Sequence, residues 1–127
     1  FHKDHAKLSA EQNKAEITAN NAIVKSMTGI DMTLFAPPSG SYSDTTLKVA
    51  HSIGMSVIMW SRDTIDWRDK DSSLVYGRAT NKIGAGDMIL MHPTAHTLAA
   101  LGDILTYYEN NHLTPVTVSQ IISQEII

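Results

Sequence analysis

Three short stretches of the chain gather residue types suited to hydrolytic chemistry. They are Ala36-Pro37-Pro38-Ser39-Gly40, then Trp60 with Asp63, Asp66 and Trp67, then Leu90-Met91-His92-Pro93. In the first, the prolines freeze φ, and Gly40 permits a backbone conformation that other residues avoid. Such a loop can present the Ser39 backbone N–H rigidly, as an oxyanion donor requires. Taken alone, the Pro-Pro pair reads as a stiff turn. Three such loops at successive strand ends favour a site, because parallel α/β folds bind ligands at the carboxyl ends of their strands. Asp63 and Asp66 are either two solvated loop acids or two ends of a hydrogen-bond network. Trp67 favours the network, since an indole there can shield the acids from water.

Histidines supply the remaining chemistry. They stand at positions 2, 5, 51, 92, 96 and 112, and the chain has no cysteine. Disulfides and thiolate metal sites are therefore excluded, and any metal must use histidine nitrogens and carboxylates. His92 and His96 have an i, i+4 spacing that could chelate a metal on a helix. Pro93, however, disfavours helical φ and ψ at His92. His92 is accordingly read as a strand-end proton donor, and His96 as a first-turn or rim residue. His51, on a helix, is read as partly exposed and His112, in a turn, as surface; His5 is read as surface or as support for a neighbouring ligand. Arg68–Asp71 reads as a solvated run of charge.

These residues need elements to position them. Ser9 with Gln12 fits a capping box, and Ala15, Ala19, Ala22, Ile23 and Met27 fall on one face of a helix over Ala10–Thr28, with Gly29 closing it. A strand over Thr33–Phe35 leads into the Pro-Pro loop. Ser43 or Asp44 caps a second helix, ended by Gly54. Met55–Trp60 is a β-prone run, as a strand buried on both faces would be. A polar loop follows, and then Ser72 or Ser73 caps a third helix reaching about Ile83. Asp87–His92 predicts another buried strand. Leu98, Leu101, Leu105 and Tyr108 mark the inner face of a fourth helix. Thr114–Val118 predicts a last strand and Ser119–Ile127 a closing helix. This alternation with short connections implies an α/β fold with parallel strands and right-handed crossovers.

Composition narrows the classes of partner. Ten Lys and Arg against thirteen acids give no sign of a nucleic-acid-binding surface. No apolar run approaches the roughly 18 residues of a membrane span, and no signal peptide is visible. Oligomeric state is left open.

The three stretches resemble motifs of the polysaccharide deacetylases of the NodB-homology type, carbohydrate esterase family four. Ala36–Gly40 looks like the family's Arg-Pro-Pro-Tyr-Gly. Trp60, Asp63, Asp66 and Trp67 match its fourth motif in spacing, and Leu90-Met91-His92 its Leu-x-His. "HKDHAKLS" aligns with the His-rich second motif when His2 is that motif's second histidine. The resemblance implies part of a distorted (β/α) barrel, with residues 1–127 as the C-terminal portion of one deacetylase domain. The Asp-Asp motif and the first metal-binding histidine are expected to precede Phe1. It further implies N-deacetylation of an N-acetylglucosamine-containing glycan, peptidoglycan or chitin-like, by an extracellular or cell-envelope bacterial enzyme. Metal-bound water, with zinc as the usual metal, is the implied nucleophile.

By position, His2 is then a metal ligand, Ser39 the oxyanion donor, and His92 the general acid. Asp66 would hold the motif-three arginine. Trp60 and Leu90 would form the acetyl pocket, with Pro38, Gly40 and Trp67 lining the substrate groove. Two departures stand out: Ser39 replaces the family's Tyr, and Ala36 its Arg. The second leaves Asp66 in need of Arg62, Arg68, backbone groups or water. It also motivates an alternative, a weak or inactive glycan-binding protein of the same fold.

Overall fold

The computed structural model describes residues 2–123. It divides into two units, one ending at Met59 and one beginning at Trp60. Both pair parallel strands through a helical crossover, as the alternation predicts.

In the first unit, α1 (Ala10–Thr28) starts at a capping box between Ser9 and Gln12 and ends at Gly29. Gly29 adopts φ 73°, a left-handed conformation that glycine reaches without steric cost. Strand β1 (Leu34–Phe35) runs into a single 3₁₀ turn at Pro38–Gly40, and then α2 (Asp44–Ser52) begins with Ser43 as its cap. The chain returns as β2 (Ser56–Val57), parallel to β1, with Phe35 opposite Val57. Ile17, Val49, Ala50 and Met55 form the core, flanked by Phe35, Ile53 and Val57.

One expectation for α1 fails. Ile23 and Met27 lie on its exposed side, Met27 being 80% accessible, while Asn13 and Ile17 are buried. Three alanines make a weak hydrophobic stripe. The buried face is instead set by hydrogen bonding: the Asn13 amide donates to the carbonyls of His5, Leu8 and Ser9. His5 is buried rather than on the surface, its Nδ1 2.7 Å from Asn13 Oδ1 and its ring tilted against Phe35. A polar pair whose partners are all satisfied can be buried at little cost.

In the second unit, β3 (Arg62–Asp63) pairs in parallel with β4 (Ile89–Leu90), Asp63 lying opposite Leu90. Strand β3 falls in the stretch expected to be a polar loop. It forms because backbone pairing, not an apolar side chain, defines it: Ser61 N–H and Thr64 N–H donate to Met88 and Leu90 carbonyls. Helix α3 (Ser72–Thr80) is capped by Asp71, whose carboxylate accepts from the N–H groups of Ser73 and Leu74; neither serine is the cap. Helix α4 (Ala95–Asn110) packs on α3 through Val75, Ala79, Ala100, Ile104 and Tyr108.

The inner face of α4 is rotated from the expected one. Thr97, Ala100, Ile104 and Tyr108 are buried, whereas Leu98 is 73% accessible. Thr114–Val118 is not a strand. Thr117 caps the short α5 (Val118–Ile122) with a capping box to Gln120, and Pro115 has no N–H to give a ladder. The rest of the expected closing helix, 124–127, lies outside the described residues. No described helix is long and apolar enough to cross a membrane.

Candidate functional site

The first unit carries His2 and Ser39. Pro37 is buried and anchors its loop, with Gly40 N–H donating to the Pro37 carbonyl and Ser41 N–H to that of Pro38. Neither bond uses the Ser39 N–H. Ser39 is exposed and adopts φ 56°, ψ 17°, so the left-handed geometry expected of Gly40 extends to Ser39 itself. A non-glycine residue there is uncommon and is held by its surroundings. Ser41 ties this loop to the His2 segment: its hydroxyl donates to the Asp4 carboxylate and accepts from Ala6 N–H. The Ser41 and Lys7 hydrogen bonds hold the Asp4 carboxyl below the usual carboxylate range. His2 is exposed.

The second unit carries Trp60, Asp63, Asp66, Trp67, Leu90 and His92. Strand β4 delivers His92 two residues beyond its end, before α4 begins, as Pro93 demands. Asp66 is buried at 1% accessibility and accepts three hydrogen bonds. Its Oδ2 accepts from His92 N–H and from the Thr97 hydroxyl, both at 2.6 Å, and its Oδ1 lies 2.7 Å from His92 Nδ1. A buried, ionised carboxylate only accepts, so Nδ1 carries the proton. Burial alone would raise the Asp66 carboxyl, but the His92 N–H, the Thr97 hydroxyl and the His92 ring outweigh it and hold it below its ordinary value.

Asp66 therefore holds His92 itself. Arg62 donates instead to the Lys82 carbonyl and pairs with Asp87, and Arg68 pairs with Asp69. The Asp69 carboxyl is held far below the usual range by Arg68 and Arg78. Asp63 turns back on its own chain, accepting from Ile65 N–H. Trp67 is exposed, under the Arg68 guanidinium. Trp60 and Leu90 are half-buried.

His92 thus sits in an arrangement known from acid–base catalysis. A buried carboxylate fixes the ring's orientation and tautomer and leaves Nε2, which takes part in no hydrogen bond among the described residues, to exchange a proton with a ligand. The His92/His96 chelate is not formed: His92 Nδ1 faces the Asp66 carboxylate, and His96 Nε2 bonds the Asp66 carbonyl. Thr97 was not anticipated. The spacing of Thr97, Ala100, Ile104 and Tyr108 would have shown it, had the leucine stripe beside it not been the more hydrophobic.

Among the described residues, no three His, Asp or Glu side chains gather to hold a metal ion. His2 alone is not a metal centre.

A parallel α/β fold with a carboxylate-held histidine just past a strand end is suited to proton transfer. Comparison with known proteins adds a family resemblance. The family model described as polysaccharide deacetylase matches residues 1–58. The Bacillus subtilis protein YlxY is 32% identical over 97% of this chain and 39% of its own length. The peptidoglycan-N-acetylmuramic acid deacetylase PdaC of Bacillus subtilis is 29% identical over 91% of this chain and 24% of its own. A crystal structure of a carbohydrate esterase family four pseudoenzyme from Bacillus anthracis superposes with TM-score 0.91 at 30% identity, covering 95% of this chain and 43% of that one. The chain resembles the NodB-type polysaccharide deacetylases of carbohydrate esterase family four in sequence and fold, with the parallel strands and helices of that family's (β/α) barrel. It spans less than half the length of these relatives.

Proposed function

We propose that the chain supplies the proton-donating part of a polysaccharide N-deacetylase acting on N-acetylglucosamine-containing glycan, peptidoglycan ahead of chitin-like polymers, in the bacterial cell envelope or outside the cell. The observation that carries this reading is the His92–Asp66 pair at the end of β4. Hydrolysis of an acetamide releases an amine, a poor leaving group unless protonated as the C–N bond breaks. The imidazolium form of His92 donates that proton from Nε2 and returns to the neutral ring with Nδ1–H on Asp66, which keeps the ring from turning away. The Ser39 N–H, unused by its own loop, is proposed to meet the developing oxyanion. Trp60 and Leu90 are proposed to enclose the acetyl methyl, and Pro38, Gly40 and Trp67 to line the glycan groove. His2 is proposed as one ligand of a divalent metal, zinc by family resemblance, whose other ligands are not among the described residues. The peptidoglycan deacetylases among the relatives support the substrate class.

The test is His92→Ala in the intact protein, assayed for acetate release from an acetylated chitooligosaccharide and from peptidoglycan. Turnover is expected to fall by about 10²–10⁴-fold with metal content unchanged. Undiminished turnover would refute the acid role. A second reading, a glycan-binding protein with little or no turnover, is motivated by Ala36, and the pseudoenzyme neighbour fits it weakly. It predicts saturable glycan binding by the unmodified protein without acetate release.

A further inference from the structure

The segment Thr64–Asp69, between β3 and α3, presents Asp66 to His92 from a strained backbone. Ile65 adopts φ 54°. Its branched Cβ makes that conformation costly, and it persists only where the surroundings over-determine it. Three side chains do so. Asp63 accepts the Ile65 N–H at 2.8 Å, and Arg78 donates to the Thr64 carbonyl at 3.0 Å. His96 Nε2 lies 2.6 Å from the Asp66 carbonyl. A carbonyl oxygen only accepts, so that nitrogen carries the proton.

Helix α4 thereby grips Asp66 twice from its first turn, Thr97 holding the carboxylate and His96 the backbone. We propose that His96 is a positioning residue for the His92–Asp66 pair, fixing through the Asp66 carbonyl where the carboxylate meets the imidazole. Its kinetic consequence rests on the reading of His92 as a general acid; its structural consequence does not.

The experiment compares His96→Leu and His96→Gln with the unmodified intact protein, histidine rings labelled with ¹⁵N. The leucine variant has no donor, whereas a glutamine amide can donate along the same path. Exchange of the His92 Nδ1 proton with water should quicken about tenfold in His96→Leu, the loss of roughly one hydrogen bond, and largely recover in His96→Gln. In acetate release, kcat should fall about tenfold with KM within about twofold, again recovering with glutamine. Exchange unchanged in His96→Leu, or equally fast in both variants, overturns the proposal. Should the leucine variant not fold, the unmodified protein still decides: a neutral His96 ring protonated at Nδ1 rather than Nε2 overturns it, and one protonated at Nε2 supports it. If the unmodified protein releases no acetate, the deacetylase reading falls, while proton exchange still judges His96.

Discussion

Asp66→Asn isolates what the carboxylate does. In the native protein, Oδ2 takes two donors, His92 N–H and the Thr97 hydroxyl, and Oδ1 takes His92 Nδ1–H. Asparagine offers one carbonyl oxygen and one NH₂. Placing the oxygen at the Oδ2 position preserves two bonds but turns the NH₂ toward Nδ1, donor against donor. The reverse placement opposes two donors and is worse. The neutral ring can relieve the conflict only by moving its proton to Nε2, so the variant should invert the His92 tautomer. All three bonds then persist but lose their charge assistance, and the ring is held in its other tautomer, a cost of about 2–4 kcal/mol after allowing for the easier burial of a neutral group.

The pH dependence carries a sign. The folded Asp66 carboxyl lies below its ordinary value of 3.8. Its contribution is therefore complete above that value and is lost as pH falls through the lower, folded one. The stability gap between native and variant, measured by urea unfolding, should be full at neutral pH and close progressively in the acid range below 3.8. ¹⁵N spectra should show His92 protonated at Nδ1 in the native protein and at Nε2 in the variant. A gap that does not change with acid, or an unchanged tautomer, would refute the reasoning.

Two further substitutions test the packing beneath the site. Tyr108→Phe removes the buried hydroxyl that donates to the Ala79 carbonyl at 2.8 Å, linking α4 to α3; unfolding should become easier by about 1–2 kcal/mol, and a variant as stable as the parent would contradict the bond's role. Asn13→Leu keeps the branched shape but takes the side-chain partner from the Leu8 carbonyl and the His5 ring nitrogen, while the His5 carbonyl keeps the Thr46 hydroxyl and the Ser9 carbonyl keeps the Asn13 N–H. A loss of about 3 kcal/mol or more is expected by chemical denaturation, and a loss under about 1 kcal/mol would show that the polar cluster is incidental.

The elements that sequence made legible are those with local signatures. Ser9 with Gln12, and Gly29 beyond them, bound α1 because capping is a contact within one turn. Pro93 placed His92 ahead of α4 by the same local logic. What local signals could not give was the choice between adjacent faces. In α4, the Leu98–Leu101–Leu105 stripe and the Thr97–Ala100–Ile104 stripe share the helical period. The partner helix α3, through Val75 and Ala79, decides between them. In α1, burial follows the amide of Asn13, a preference that hydropathy opposes. Strand β3 was hidden for the opposite reason: its polar residues are there because backbone pairing with β4 suffices. Motif spacing singled out Asp66 and His92, but only the tertiary fold shows that they bond to each other.

That bond changes the meaning of Ala36. Read against the family motif, the missing arginine leaves Asp66 as a buried carboxylate in search of a cation, and a buried charge without a partner is expensive. The geometry removes the difficulty. Both carboxylate oxygens and the backbone carbonyl of Asp66 accept from His92, Thr97 and His96, all within the second unit. No arginine is required, and Arg62 and Arg68 are engaged elsewhere. The substitution at Ala36 therefore leaves the Asp66–His92 pair intact. On the proposed reading, the family's arginine would orient the catalytic base, and its replacement would weaken the enzyme there. An enzyme weakened there would still hold His92 on Asp66 and still recognise glycan, and tautomer and binding measurements alone would not separate it from a glycan-binding protein. Acetate release is the measurement that divides them.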